Sequence, residues 1–267
     1  MKLITLNAAL FEPNNPKLAG YLKEECPDIA CFQEVTRGLV DGVDKEFISK
    51  DTIDEGTGDL KYSFFGPTNV FGEIKMKDFH GQGNFHFDPK GFLEMGNYTK
   101  SKFKISEASS IFLEGDFSYN PSREEKWPNE QERAILITDI LVDGGKSLRI
   151  INYHGIWTRD KKGNDKTFEA CKKILNYASS FKGNVIVCGD FNLFPETPSI
   201  KVFEKDFTNL IDRFKVKSTR PSSNELSGNR RNVVDYVFVS PNLKVNNFKV
   251  LDKDVSDHLP LVLDFEL

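Results

Sequence analysis

The stretch NVIVCGDFN, residues 184–192, decides the fold. Val185, Ile186, Val187 and Cys188 form a short apolar run that Gly189 and Asp190 close. Such a run is too short for a helix and is bounded by turn formers, so it reads as a strand buried on both faces inside a layered α/β protein. The polar residues that follow stand at the strand's end. Five more apolar runs carry a polar cluster in the same way. Asn7 follows LITL, Gln33-Glu34 follows DIACF and His154 follows SLRIINY, whereas Asp235 precedes YVFVS and Ser256-Asp257-His258 precedes LPLVLDF.

The strands that begin after Asp235 and His258 must run antiparallel to the others if all the clusters are to share one edge. Mixed sheets are therefore expected. Once gathered there, carboxylates, amides and two histidines would meet in one polar pocket. Stability does not call for that concentration, because unpaired buried charge is costly. A bound cation would offset the repulsion.

Working outward, the patterning predicts strands at 2–7, 28–33, 101–105, 109–115, 133–142, 147–153, 184–188, 233–239, 244–250 and 259–265. Helices are predicted at about 16–25, in the forties, at about 165–181 and after Thr197, with a less regular stretch over 68–96. Two halves of similar content suggest a pair of packed sheets with helices outside. The chain has 267 residues, 39% of them hydrophobic, which suffices for a sizeable core. A single domain over 1–267 is expected, since the pocket draws on both ends of the chain.

The order QEV, GDFN, DYVFVS, SDHLPL resembles the endonuclease/exonuclease/phosphatase superfamily of deoxyribonuclease-I-like, metal-dependent phosphoesterases. The resemblance runs from Leu3 to Leu263. It implies a four-layer α/β sandwich, two packed mixed sheets flanked by helices, and an Mg²⁺- or Mn²⁺-dependent hydrolase. It also implies roles. Glu34 would be the principal metal ligand, with Asn7 beside it and Asp257 as a second metal-shell group. Asp190 would orient or deprotonate the attacking water, and Asn192 and His154 would donate to phosphoryl oxygens. Asp235 would hold His258, which shares the general-base role with Asp190.

Each residue also has a plainer reading. A lone Glu34 could be a surface carboxylate, and Asn7, Asp190 and Asn192 are residues that turns favour. As ligands the carboxylates suit a hard cation that prefers oxygen, and a histidine titrating near neutrality suits proton transfer. Competing chemistries fit less well. A glycosidase would use Glu34 and Asp190 but leave both histidines and Asn7 without roles. There is no HExxH, and His80 and His86 have no third ligand of recognisable spacing. A catalytically silent binding module on the same fold is the alternative outside enzymes.

Substrate is expected to be a phosphoester, with DNA or RNA ahead of a small molecule or lipid headgroup. Candidate substrate contacts are Arg133, Trp157, Arg159 and Arg231, and aromatic and basic residues alternate over 64–103, as suits single strands. Against this, the net charge is −4, so no global attraction to nucleic acid is expected. The apurinic-site endonucleases of the family carry a Trp shortly before the aspartate matching Asp235, where this chain has Asn232-Val233-Val234. Four cysteines without CxxC spacing, and no apolar run of membrane-spanning length, suggest a reduced cytoplasmic protein; no protein partner is expected.

Overall fold

Lys2–Asn7 (β1) and Ile29–Gly38 (β2) pair in parallel, and their side chains divide between two cores with the period of two that a strand imposes. Leu3, Ile29 and Cys31 face one core, whereas Ile4, Leu6, Ala30 and Phe32 face the other. The second core is closed by Leu18, Tyr21 and Leu22 of a helix over Lys17–Glu25 (α1) and by Ile53 of a helix over Ser49–Gly56 (α2). These residues belong to a computed structural model that describes 1–9, 16–39, 47–71, 92–119, 131–221 and 232–267.

The remaining elements follow in order: β3 (Tyr62–Phe71), β4 (Leu93–Ser101), β5 (Lys104–Glu114), β6 (Ser118–Tyr119), β7 (Arg133–Val142), β8 (Lys146–His154), α3 (Asp165–Ser179), β9 (Asn184–Asp190), α4 (Pro198–Lys201), β10 (Thr208–Asn209), α5 (Leu210–Arg213), β11 (Asp235–Val239), β12 (Lys244–Val250) and β13 (Leu261–Glu266). They form a seven-stranded sheet, β12-β13-β1-β2-β4-β3-β6, and a six-stranded sheet, β10-β11-β9-β8-β7-β5. β11 runs antiparallel to β9 and β13 antiparallel to β1, as the strand-end argument required. α3 starts at a reciprocal cap, in which Asn164 Oδ1 accepts from Thr167 N at 3.1 Å and Thr167 Oγ1 accepts from Asn164 N at 2.9 Å. Its Ala170, Cys171, Ile174 and Ala178 join the core that both sheets line. The result is the four-layer α/β sandwich.

Three expectations need correction. β2 does not stop at residue 33 but continues to Gly38, because its register with β4 shifts between Phe32 and Val35 and the strand passes through a bulge. Residues 101–105 are not one strand: β4 ends at Ser101, whose Oγ accepts from Phe103 N at 3.0 Å, and β5 starts at Lys104. β5 then runs unbroken to Glu114, where two pieces were expected, since an edge strand tolerates the polar SEASS segment. The stretch predicted as less regular holds the end of β3 and the start of β4; 72–91 lie outside the described residues, as do 40–46 before α2.

Phe191, fully buried, is the keystone of the six-stranded side. Its ring meets Tyr153, Phe203, Tyr236 and Phe238 edge-on at centroid distances of 5.2, 5.8, 5.4 and 5.5 Å. Phe191→Ala should therefore cost about 3–5 kcal/mol of stability by loss of transfer energy plus a cavity. Urea unfolding would check this, and a loss below about 1 kcal/mol would mean that the cluster closes over the gap.

Candidate active site

Register builds the site. His154 is the β8 partner of Asp190 on β9, and Asp235 on β11 is Asp190's partner on the other side, so three of the expected site residues lie abreast at one end of the six-stranded sheet. Gly189 makes this possible at φ 131°, because a Cβ there would fall 2.1 Å from Tyr153 O on β8. In the facing sheet Asn7 and Gln33 are partners. The two sheets are joined across the gap, where Asn7 Nδ2 donates to Asp190 Oδ2 at 3.1 Å. Deeper in, Gln33 Nε2 donates to Asn152 Oδ1 at 2.7 Å and to Thr5 Oγ1 at 3.2 Å, a buried amide bridge two residues before His154.

Glu34 sits on the bulge with φ 54°, a left-handed conformation that L-residues other than Asn and Asp seldom adopt. Its Oε1 lies 3.3 Å from His154 Nε2, and Arg133 Nη1 lies 3.4 Å from His154 Nδ1. A guanidinium can only donate, so His154 accepts at Nδ1 and carries its hydrogen on Nε2, directed at the Glu34 carboxylate. The resemblance gave His154 to a phosphoryl oxygen. In this structure that hydrogen faces the Glu34 carboxylate.

At the other side His258 Nδ1 donates to both oxygens of Asp235, at 2.9 and 3.0 Å, and His258 Nε2 lies 3.6 Å from Asp190 Oδ2. Burial and the Arg220 charge oppose protonation of this imidazole. Asp235, Asp257 and Asp190 outweigh them and raise its pKa to about 9. Ser256 fixes the loop: its Oγ donates to Asn7 O at 2.6 Å and accepts from His258 N at 3.3 Å. Thus β1, β9, β11 and the segment before β13 are locked around one imidazole.

Residues 152–258 match the model of the Endonuclease/Exonuclease/phosphatase family. Over its whole length the chain is similar to an endonuclease/exonuclease/phosphatase from Beutenbergia cavernae, with a TM-score of 0.74, 17% identity and 71% of that chain covered. The chain has the endonuclease/exonuclease/phosphatase fold. The resemblance read from QEV, GDFN, DYVFVS and SDHLPL is borne out. Its whole length is also similar to a mannosyl-6-phosphatase from Bacteroides thetaiotaomicron (TM-score 0.65, 17% identity, all of that chain covered) and to the human Nocturnin catalytic domain (0.64, 17%, 94%). No curated protein matches the sequence.

Within the endonuclease/exonuclease/phosphatase fold the structure adds two buried cations, which the sequence reading placed among basic loop residues near the site's edge without marking them as buried. Arg220, before β11, donates from Nη1 to Asp257 Oδ2 at 3.0 Å. Burial opposes its charge, but Asp257, Asp190 and Asp235 more than compensate and hold its pKa above the usual arginine value. Lys161, in the loop after β8, reaches Asn192 Oδ1 at 2.5 Å. Nothing in the run Arg159-Asp160-Lys161-Lys162 distinguishes the buried lysine from its exposed neighbours. Only the tertiary fold does. Of the expected substrate contacts, Arg133 is buried at the site with an Nε that has no partner among the described residues, and Trp157 is half-buried. Trp157 is pinned by its backbone to both side-chain atoms of Gln131, at 2.8 and 2.9 Å. Arg159 is exposed, and Arg231 lies outside the described residues.

Asp190, Asp235 and His258 offer ligand atoms that all lie within 4.8 Å of one another. In that trio His258 Nδ1 is engaged by Asp235, which leaves Nε2 as the ring nitrogen that could ligate. The Glu34 and Asp257 carboxylates and the Asn7 amide oxygen are hard donors of the kind Mg²⁺ takes. Asp257 also shares the Arg220 guanidinium, and the amide oxygen of Asn7 accepts from Ala9 N at 3.0 Å.

Proposed function

We propose that this protein is a metal-dependent phosphoester hydrolase acting as one domain, in which water attacks phosphorus in line. The observation that carries the reading is the buried His258, held by Asp235 at 2.9 Å and set against Asp190 at 3.6 Å, beside two amides and an arginine. Asp190 is the anion placed to take the proton of the attacking water. His258, cationic at neutral pH, holds positive charge against the developing phosphorane. Asn192 donates an amide hydrogen to a non-bridging oxygen, and Arg133 adds a fixed cation. Glu34, Asp257 and Asn7 would hold Mg²⁺ or Mn²⁺, whose charge offsets that of the phosphoryl oxygens.

For substrate we favour a nucleic-acid phosphodiester over a small-molecule or lipid phosphate, on the aromatic and basic residues Trp157 and Arg159 in the loop that follows His154. Three buried free thiols, Cys31, Cys171 and Cys188, support a reducing, cytoplasmic setting. The test is hydrolysis of bis-p-nitrophenyl phosphate, p-nitrophenyl phosphate and labelled DNA and RNA with and without Mg²⁺ or Mn²⁺. Turnover that needs the metal supports the reading; folded protein that hydrolyses none of them points to a binding module. A nucleic-acid substrate should show affinity that falls steeply, by about 10-fold or more, between 50 and 200 mM salt. A KM that is flat across that range would assign the site to a small phosphate.

A further inference from the structure

Lys161 is 4% exposed, whereas its neighbour Lys162 is exposed. Its backbone is held in the left-handed region at φ 56°, with Lys161 N donating to Thr158 O at 3.1 Å and Lys161 O accepting from Phe194 N at 2.9 Å. The ammonium lies 5.0 Å from the Trp157 ring centroid and donates to Asn192 Oδ1. Two links from Lys161 therefore tie the loop after β8 to the loop after β9, one to Asn192 itself and one to Phe194 two residues on. Asn192 itself has φ 57°, and its Nδ2 lies 3.3 Å from Gly155 O.

These partners decide which way the amide faces. An ammonium has no acceptor and a carbonyl has no donor. As an ammonium, Lys161 can pair only with the amide oxygen, and Gly155 only with the amide nitrogen, so a flipped Asn192 would meet a clash of like polarity on both sides. One Nδ2 hydrogen goes to Gly155, and the second is the hydrogen available to a phosphoryl oxygen.

We propose that Lys161 is a positioning residue that locks Asn192 with its amide N–H, rather than its carbonyl, toward the reacting phosphate. The identity of the ligand rests on the phosphoester reading above; the orientation of the amide does not. The cost of keeping a cation here agrees with a functional assignment. Burial pushes the ammonium down to about 7, Arg220 on the loop before β11 and Arg133 on β7 push the same way, and Asp190 on β9 and Glu34 on β2 oppose them. An apolar residue of the same length would fill the space against Trp157 without that cost.

The test combines K161M, K161R, N192A and the double variant K161M/N192A. K161M is expected to lower kcat for phosphoester hydrolysis by about 10- to 100-fold, with no loss of melting temperature, and K161R to recover part of the rate. The double variant should be no slower than N192A alone, because Lys161 acts through that amide. Losses that multiply in the double variant, or a K161M protein that melts lower at full activity, would overturn the proposal. A readout without turnover separates this from the function reading: the Asn192 side-chain amide resonance, assigned by its disappearance in N192A, should move in K161M. If wild-type protein hydrolyses no phosphoester, the phosphoester reading fails and this shift alone decides; an unmoved resonance sinks the amide lock. Should K161M not fold, K161Q, which keeps a donor without the charge, is expected to leave the resonance near its wild-type position, and displacement there counts against the proposal.

Discussion

His258→Ala is expected to lower kcat by about 10²- to 10⁴-fold, the range for loss of a positioned acid–base group. The imidazole lies between two of the proposed site carboxylates, Asp235 at 2.9 Å and Asp190 at 3.6 Å. Its removal deprives both of their shared positive neighbour. Asp235→Asn offers a gentler probe. It keeps the shape but can place an amide N–H opposite the Nδ1 hydrogen, which forces the ring into the wrong tautomer. kcat against pH for the three proteins checks this, and activity within 10-fold of wild type in both variants would remove His258 from the chemistry. Stability gives an independent sign. A folded-state pKa raised from 6.5 to about 9 stabilises fully below pH 6.5, and that stabilisation is lost as pH rises through about 9. In metal-free protein the wild-type advantage over His258→Gln should therefore shrink between pH 6 and pH 10.

What the sequence made legible follows from where the information lies. Apolar runs ended by polar residues are local patterns, and the demand that Asp235 and His258 reach the same edge as Asp190 implies the antiparallel sense that β11 and β13 have. The bulge was not legible. Gln33-Glu34 after five apolar residues looks like the end of a strand, whereas the two residues share one position opposite β4 and the strand resumes at Val35. β5 was split for the reverse reason: its solvent-facing side is polar, and polarity on an edge strand imitates a loop. Lys161 and Arg220 were missed as members of the buried charge cluster because burial of a loop cation is set by what folds over it. Gln33 was seen as part of a motif, but its bond to Asn152 joins residues 119 apart in the chain.

The second large effect is expected at Glu34, where backbone and chemistry conflict. Glu34→Gln should weaken Mn²⁺ binding by at least about 10-fold and kcat by about 10²-fold, since a neutral amide supplies neither the charge a hard cation needs nor a strong acceptor for the His154 hydrogen. Calorimetric titration with Mn²⁺ measures the first and turnover the second; unchanged Mn²⁺ affinity would move the metal away from Glu34. The backbone supplies a separate test. A glutamate held at φ 54° stores strain of about 1–3 kcal/mol, which glycine would not carry. Glu34→Gly and Glu34→Ala both lack the carboxylate and differ only by a Cβ, so their difference reports the strain alone. Glu34→Gly should be the more stable by about 1 kcal/mol, while both are equally inactive. The bulge is strained because a regular strand would send alternate side chains to opposite faces; turning the chain through the left-handed region at one residue lets Gln33 bridge the sheets while Glu34 meets His154 at 3.3 Å. If the alanine variant proves as stable as the glycine one, the conformation is relaxed and the aim of the carboxylate must come from His154 and Arg133 instead.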